Sequence, residues 1–187
     1  MKRLWIILAA SLLLVVAWRF WSPANLSACT SEGTAPGPLT AIVHNYFESN
    51  RRIGWRDMDD RFDILSTPEG QKVAGQPMPY ACEALQILQN PALSESEKIF
   101  TTALMFQLPI SQYMGFMDRS HQLYSEHRID PEVMKVVVLP RGTAINYWWL
   151  PAWRQRFTRD APNLLDESLI RHVLTGGYWF DHPGAGF

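Results

Sequence analysis

From Leu39 onward the apolar residues recur at helical rather than strand spacing. Leu39, Ile42, Val43, Tyr46 and Phe47 fall at i, i+3, i+4, i+7 and i+8, which is one face of a helix. Residues 58–65 form a short amphipathic piece within a charged stretch. Thr67-Pro68-Glu69 combines a capping residue, a first-position proline and an acidic first turn, opening a helix to about residue 74. Residues 75–79 read as a loop, and 80–89 place Ala81, Ala84, Leu85, Ile87 and Leu88 at helical spacing. Ser94 followed by Glu97 has the capping-box form ahead of a helix over 99–108. Pro109 starts the longest soluble helix, to about residue 127.

Asp130-Pro131-Glu132 opens another helix over 133–139. Its Val136-Val137-Val138 run also suits a strand, but the helical start and the want of a pairing segment outweigh that. After Pro140, Tyr147-Trp148-Trp149 leads to Leu150-Pro151 and a helix through residue 157. A last helix over 163–175 is closed by Gly176-Gly177. The end of the chain, 178–187, is irregular and aromatic. The pattern therefore predicts an all-α fold, a single domain of about eight short helices over 39–177, with no convincing strand.

The start of the chain has a different pattern. Lys2 and Arg3 precede an apolar run from Leu4 to Trp18, broken by Ser11 and followed by Arg19, Phe20 and Trp21. A basic start before an apolar run keeps its positive end in the cytoplasm and sends the rest across the membrane. The run alone spans about 22 Å, and extension to Ser22 gives about 28 Å against a hydrocarbon core of about 30 Å. Trp5 at one end and Trp18, Phe20 and Trp21 at the other suit the two interfaces. Residues 1–22 are thus expected to stay as an anchor, contacting the membrane through 4–22, with the domain in the periplasm of a Gram-negative host. A lipoprotein ranks second, from the lipobox-like Leu26-Ser27-Ala28-Cys29, and a cleaved, secreted chain third. Residues 23–38, rich in Pro, Gly and small polar residues, are expected to be a flexible tether.

Composition narrows the classes. Hydrophobic content of 47% supports a real core. Net charge is −1, and with Lys2, Arg3 and Arg19 set aside 14 basic residues face 18 acidic ones, so no basic field for nucleic acid exists. The two cysteines, Cys29 and Cys82, permit a disulfide in an oxidising compartment, or lipidation of Cys29. A small core thiol on a helix is the favoured reading of Cys82.

No nucleophile, phosphate loop or cofactor motif announces itself. The histidines, His44, His121, His127, His172 and His182, include no i, i+4 pair, so no metal site is expected. Asp118 and His121, at i and i+3, and Asp181-His182 are the candidate acid–base pairs, with structural or surface roles favoured for each. Asp57, Asp59, Asp60 and Asp63 interleave with Arg51, Arg52, Arg56 and Arg61, which favours a salt-bridged helix over a calcium loop.

The interaction-like run is Trp148, Trp149 and Trp153 with Arg154, since Trp and Arg dominate binding hot spots. Tyr178 and Trp179 in the tail are the second candidate contact. Phe116-Met117-Asp118, Leu123-Tyr124, Ile129-Asp130-Pro131-Glu132-Val133, Leu139-Pro140 and Pro151-Ala152-Trp153-Arg154 together resemble small helical periplasmic immunity proteins. That resemblance implies inhibition of toxins delivered between bacteria. The expected function is a membrane-tethered module that binds another protein without catalysis, as an immunity-type inhibitor or an envelope adaptor. The alternative is an envelope hydrolase or a small-ligand binder with an aromatic pocket.

Overall fold

The computed structural model describes residues 37–50, 68–139 and 149–177, together with Leu26 and Cys29. The described residues are helical without any strand, in eight α-helices and two 3-10 turns. The helices are α1 (Pro38–Asn50), α2 (Pro68–Gly75), α3 (Pro77–Gln89), α4 (Glu95–Leu104), α5 (Ile110–Ser125), α6 (Pro131–Val138), α7 (Pro151–Asp160) and α8 (Glu167–Leu174). Five begin on proline, which has no amide hydrogen to leave unpaired in the first turn. The helix expected over 58–65 lies outside the described residues, as does the acidic–basic cluster around it.

Among the boundaries that differ from expectation, α4 runs Glu95–Leu104 rather than over 99–108, α7 continues to Asp160, and two others have a clear local cause. Residues 77–79 are the first turn of α3 rather than a loop, and Gln76 alone separates it from α2. Pro77 and Pro79 fall in the turn where helices tolerate proline best. The last helix begins at Glu167 rather than near 163. Ala161–Asn163 is a 3-10 turn, and the Asp166 carboxylate accepts the Leu169 amide to start α8 afresh.

The capping box at α4 forms as the spacing predicts: Ser94 Oγ accepts the Glu97 amide, and the Glu97 carboxylate accepts the Ser94 amide at 2.8 Å. The start of α1 is capped from a distance. Glu83 of α3 accepts the amides of Leu39 (3.1 Å) and Thr40 (2.8 Å), placing a carboxylate on the positive end of the helix. A Cβ at Gly37 would lie 2.5 Å from that carboxyl group, so a side chain there would push the Glu83 carboxylate aside.

α3, α4, α5 and α6 pack around a shared interior, α1 covers α3 and α4, and α7 closes over α5 and α6. Tyr113 lies fully buried between Phe106 and Phe116, and its hydroxyl donates to the Val137 carbonyl at 2.8 Å. Burial holds the Tyr113 phenol well above its usual pKa, so the neutral donor is the form the core accommodates. On α1, Tyr46 and Phe47 meet the buried Phe100 of α4, one stacked at 5.2 Å and the other edge-on at 5.5 Å.

Leu26 (4% exposed) and Cys29 (6%) belong to the same core as Leu39, Leu85 and Val173. The expectation of a free tether over 23–38 therefore does not hold at these two positions. Cys29 is bonded to Cys82 of α3, with Cα atoms 5.0 Å apart. Cys82 is thus a disulfide partner rather than a core thiol, and its sulfur and that of Cys29 are both committed. A sulfur in that bond is not available to carry a thioether lipid.

Candidate functional site

Of the six residues the sequence marks out for partner binding, Trp153 and Arg154 lie on α7 and Trp149 lies just before its first turn. Pro151 fixes the start of the helix, with the Leu150 carbonyl accepting the Arg154 amide. Trp149, just before that turn, is 55% exposed. Trp153, one turn later, is 1% exposed and stacks on Phe157 with ring centroids 5.0 Å apart. Trp153 is therefore a core residue, and the expectation that it contacts a partner is corrected. Its period on the helix matches Phe157 and Asp160, the buried face of α7. Arg154 donates to the Leu174 carbonyl at 2.9 Å, pinning the end of α8 to α7. Trp148, Tyr178 and Trp179 lie outside the described residues, as do Asp181 and His182.

The other face of α7 meets α5 through charge. Arg156 places Nε 3.0 Å from both oxygens of Asp118 and Nη2 2.6 Å from Oδ2, a forked pair. Arg159 bridges the two carboxylates, with Nη1 3.0 Å from Asp118 Oδ1 and Nη2 2.8 Å from Asp160 Oδ2. Burial acts to lower the Arg159 pKa, but hydrogen bonds to Asp160 and Asp118, and their negative charges, outweigh it and raise the value. The side chain of Asp160 is 2% exposed, and its Oδ1 lies 2.6 Å from His121 Nδ1. The contact does not have hydrogen-bond alignment, so it is a close approach of the carboxylate to the ring nitrogen.

The pair expected between Asp118 and His121 is thus divided between partners on α7. Asp118 takes the two arginines, and His121 takes Asp160. Sequence spacing carried a signal for this. Asp118 and His121 share a face of α5, Arg156 and Asp160 share a face of α7, and the two pairs meet in the same chain order.

His121 and Asp160 line a half-open groove of about 350 Å³, with Tyr124, His127, Asp130 and Asn163 around its rim. Asp130 is also engaged by Lys98 at 3.2 Å. Asp130 begins α6 without a side-chain cap of its own, because its carboxylate is turned to that lysine. His127 has φ of 58°, the left-handed position that ends α5. Arg128 donates to the Leu123 carbonyl and His127 to that of Tyr124, each at 2.9 Å, the paired bonds that close a helix at its C-terminus. The groove mixes polar groups with Tyr124, Ile129 and Pro131, so Tyr124 is its aromatic side chain. Among the described residues no three His, Cys, Asp or Glu side chains are grouped to hold a metal ion, and no helix is long and apolar enough to cross a membrane.

The chain matches no family model, no curated protein and no solved structure.

Proposed function

We propose that this chain is an exported, membrane-held helical module that works by binding another protein, as an immunity-type inhibitor or an envelope adaptor. The observation that carries the reading is Trp149, a large side chain held 55% in solvent at the fixed start of α7. An indole kept out of an otherwise well-filled core is the residue type and setting of a binding hot spot. Two further features support export. Lys2 and Arg3 precede the apolar run, and the Cys29–Cys82 bond is chemistry of an oxidising compartment.

The test places a photo-crosslinking amino acid at position 149 in the full-length chain, expressed in its host, with Gln155 on the same helix as the control site. A discrete adduct from 149, absent from 155, is the expected result. Trp149→Ala should then weaken binding of the purified partner by about 2 kcal/mol, roughly thirtyfold. A variant that binds as tightly as the parent would remove Trp149 from the interface.

One observation favours a second reading, a hydrolase or small-ligand binder. The buried Asp160 lies beside His121 at the groove, and a carboxylate next to an imidazole is the pairing of groups that proton transfer uses. On that reading, members of a small-molecule panel raise the melting temperature of the parent chain and not of His121→Ala.

A further inference from the structure

The disulfide joins Cys29, seven residues after Ser22 in sequence, to Cys82 of α3. The Cys29 amide donates to the Leu26 carbonyl at 3.0 Å, so Leu26 sits one turn of chain from the bond, and its side chain is 4% exposed. Between Ser22 and Leu26 only Pro23, Ala24 and Asn25 intervene, a span of at most about 14 Å. If residues 4–22 hold the membrane, the part of the domain around Cys82 is held against it too.

Cys82 lies in the second turn of α3, about 4.5 Å along the helix axis from Pro79. The turn that precedes it is apolar and incompletely covered: Pro79 is exposed, and Pro77, Met78 and Tyr80 are half-buried. Gln76, whose amide donates to the Lys72 carbonyl of α2 at 3.0 Å, is exposed, and so is Lys72. A short apolar surface with a tyrosine and a neighbouring lysine matches the headgroup zone of a bilayer. There, apolar groups reach the acyl boundary, a phenol sits at the interface and a cation meets lipid phosphate.

We infer that the first turn of α3, with Lys72 beside it, is a lipid-facing surface that seats the domain on the outer face of the membrane holding it. The inference rests on the anchor reading of residues 4–22 and deepens it. The domain rides on the bilayer instead of swinging on a long leash. The partner is a phospholipid surface, with anionic lipid favoured by Lys72. It is a different place from Trp149, which stays available to a protein partner.

The experiment uses the full-length chain in nanodiscs of phosphatidylcholine and phosphatidylglycerol, with a fraction of the lipid bearing a headgroup nitroxide. Methionine methyl groups labelled with carbon-13 report on distance from that spin label, and Met78→Leu assigns the key signal. The Met78 methyl is expected to broaden at least threefold more than that of Met134, which is buried in α6. Lys72→Glu should reduce the difference in phosphatidylglycerol discs and leave it unchanged in pure phosphatidylcholine. Equal broadening of Met78 and Met134 in a chain that stays with the discs after an alkaline wash would overturn the surface and leave the anchor standing. Release of the chain by that wash would overturn the anchor and the surface together.

Discussion

Trp149 and Trp153 stand four residues apart on either side of Pro151, yet one faces solvent and the other fills the core. Trp153→Ala is expected to cost about 3–5 kcal/mol, lowering the melting temperature by about 10 °C, because it removes a side chain stacked on Phe157 and leaves a cavity. Trp149→Ala should stay within about 0.5 kcal/mol of the parent. Thermal melts of the two variants check both, and similar losses would place Trp149 in the core as well. The sequence marked both indoles as interaction candidates because composition cannot tell a hot spot from core mass. The helix start at Pro151 was legible in the sequence, but which face of α7 is buried depends on the helices it packs against, and that was not. His127 makes a second residue-scale case. With φ of 58° it occupies the position where glycine is easiest to accommodate, so His127→Gly should stabilise by about 1 kcal/mol in denaturant melts. An unchanged midpoint would mean that contacts of the imidazole offset the backbone strain.

Helix starts were the most readable elements, because a capping residue, a proline or an acidic first turn acts through neighbours in sequence. The α4 box is the clearest, and its energetics follow from Glu97. Burial acts to raise the Glu97 pKa, but hydrogen bonds from the Ser94 side chain and amide, and the contact with His44, outweigh it and lower the value below 4.5. A carboxylate whose folded pKa is depressed adds stability that is present above its unfolded pKa and lost as pH falls through the folded one. Stability should therefore decline below about pH 4.5 with a contribution that Glu97→Gln removes. Ser94→Ala should cost about 1 kcal/mol at neutral pH. Urea melts across pH 3–7 measure both effects, and parallel pH profiles for the parent and Glu97→Gln would exclude the box as their source. The starts of α3 and α8 were harder to place. Pro77 and Pro79 look like a loop until both are seen in a first turn, and the 163–165 segment looks helical until Asp166 is seen to cap anew. The α5–α7 charge network was half legible. Asp118 and His121 stood out, but their partners lie 38 and 39 residues away, and only the parallel packing of the two helices brings them together.

At the scale of the molecule, the fold class was legible from periodicity alone, whereas the covalent link between Cys29 and Cys82 was legible only as one option among others. Two cysteines 53 residues apart permit a disulfide, but the sequence favours a core thiol at Cys82, because nothing in the spacing shows that the chain brings them together. By loop-closure entropy such a link contributes about 4 kcal/mol, through the unfolded chain it restrains. Reduction, or the double replacement Cys29→Ser with Cys82→Ser, should lower the denaturation midpoint accordingly. A midpoint that does not move would show that packing of Leu26 and its neighbours suffices. The same bond closes the backbone into a ring that contains α1, α2 and the arginine-rich stretch Arg51, Arg52, Arg56 and Arg61. A trypsin-like cut after any of those arginines opens the ring without releasing a piece. Both fragments remain one covalent species, and the break becomes visible on a gel only once a reductant has been added.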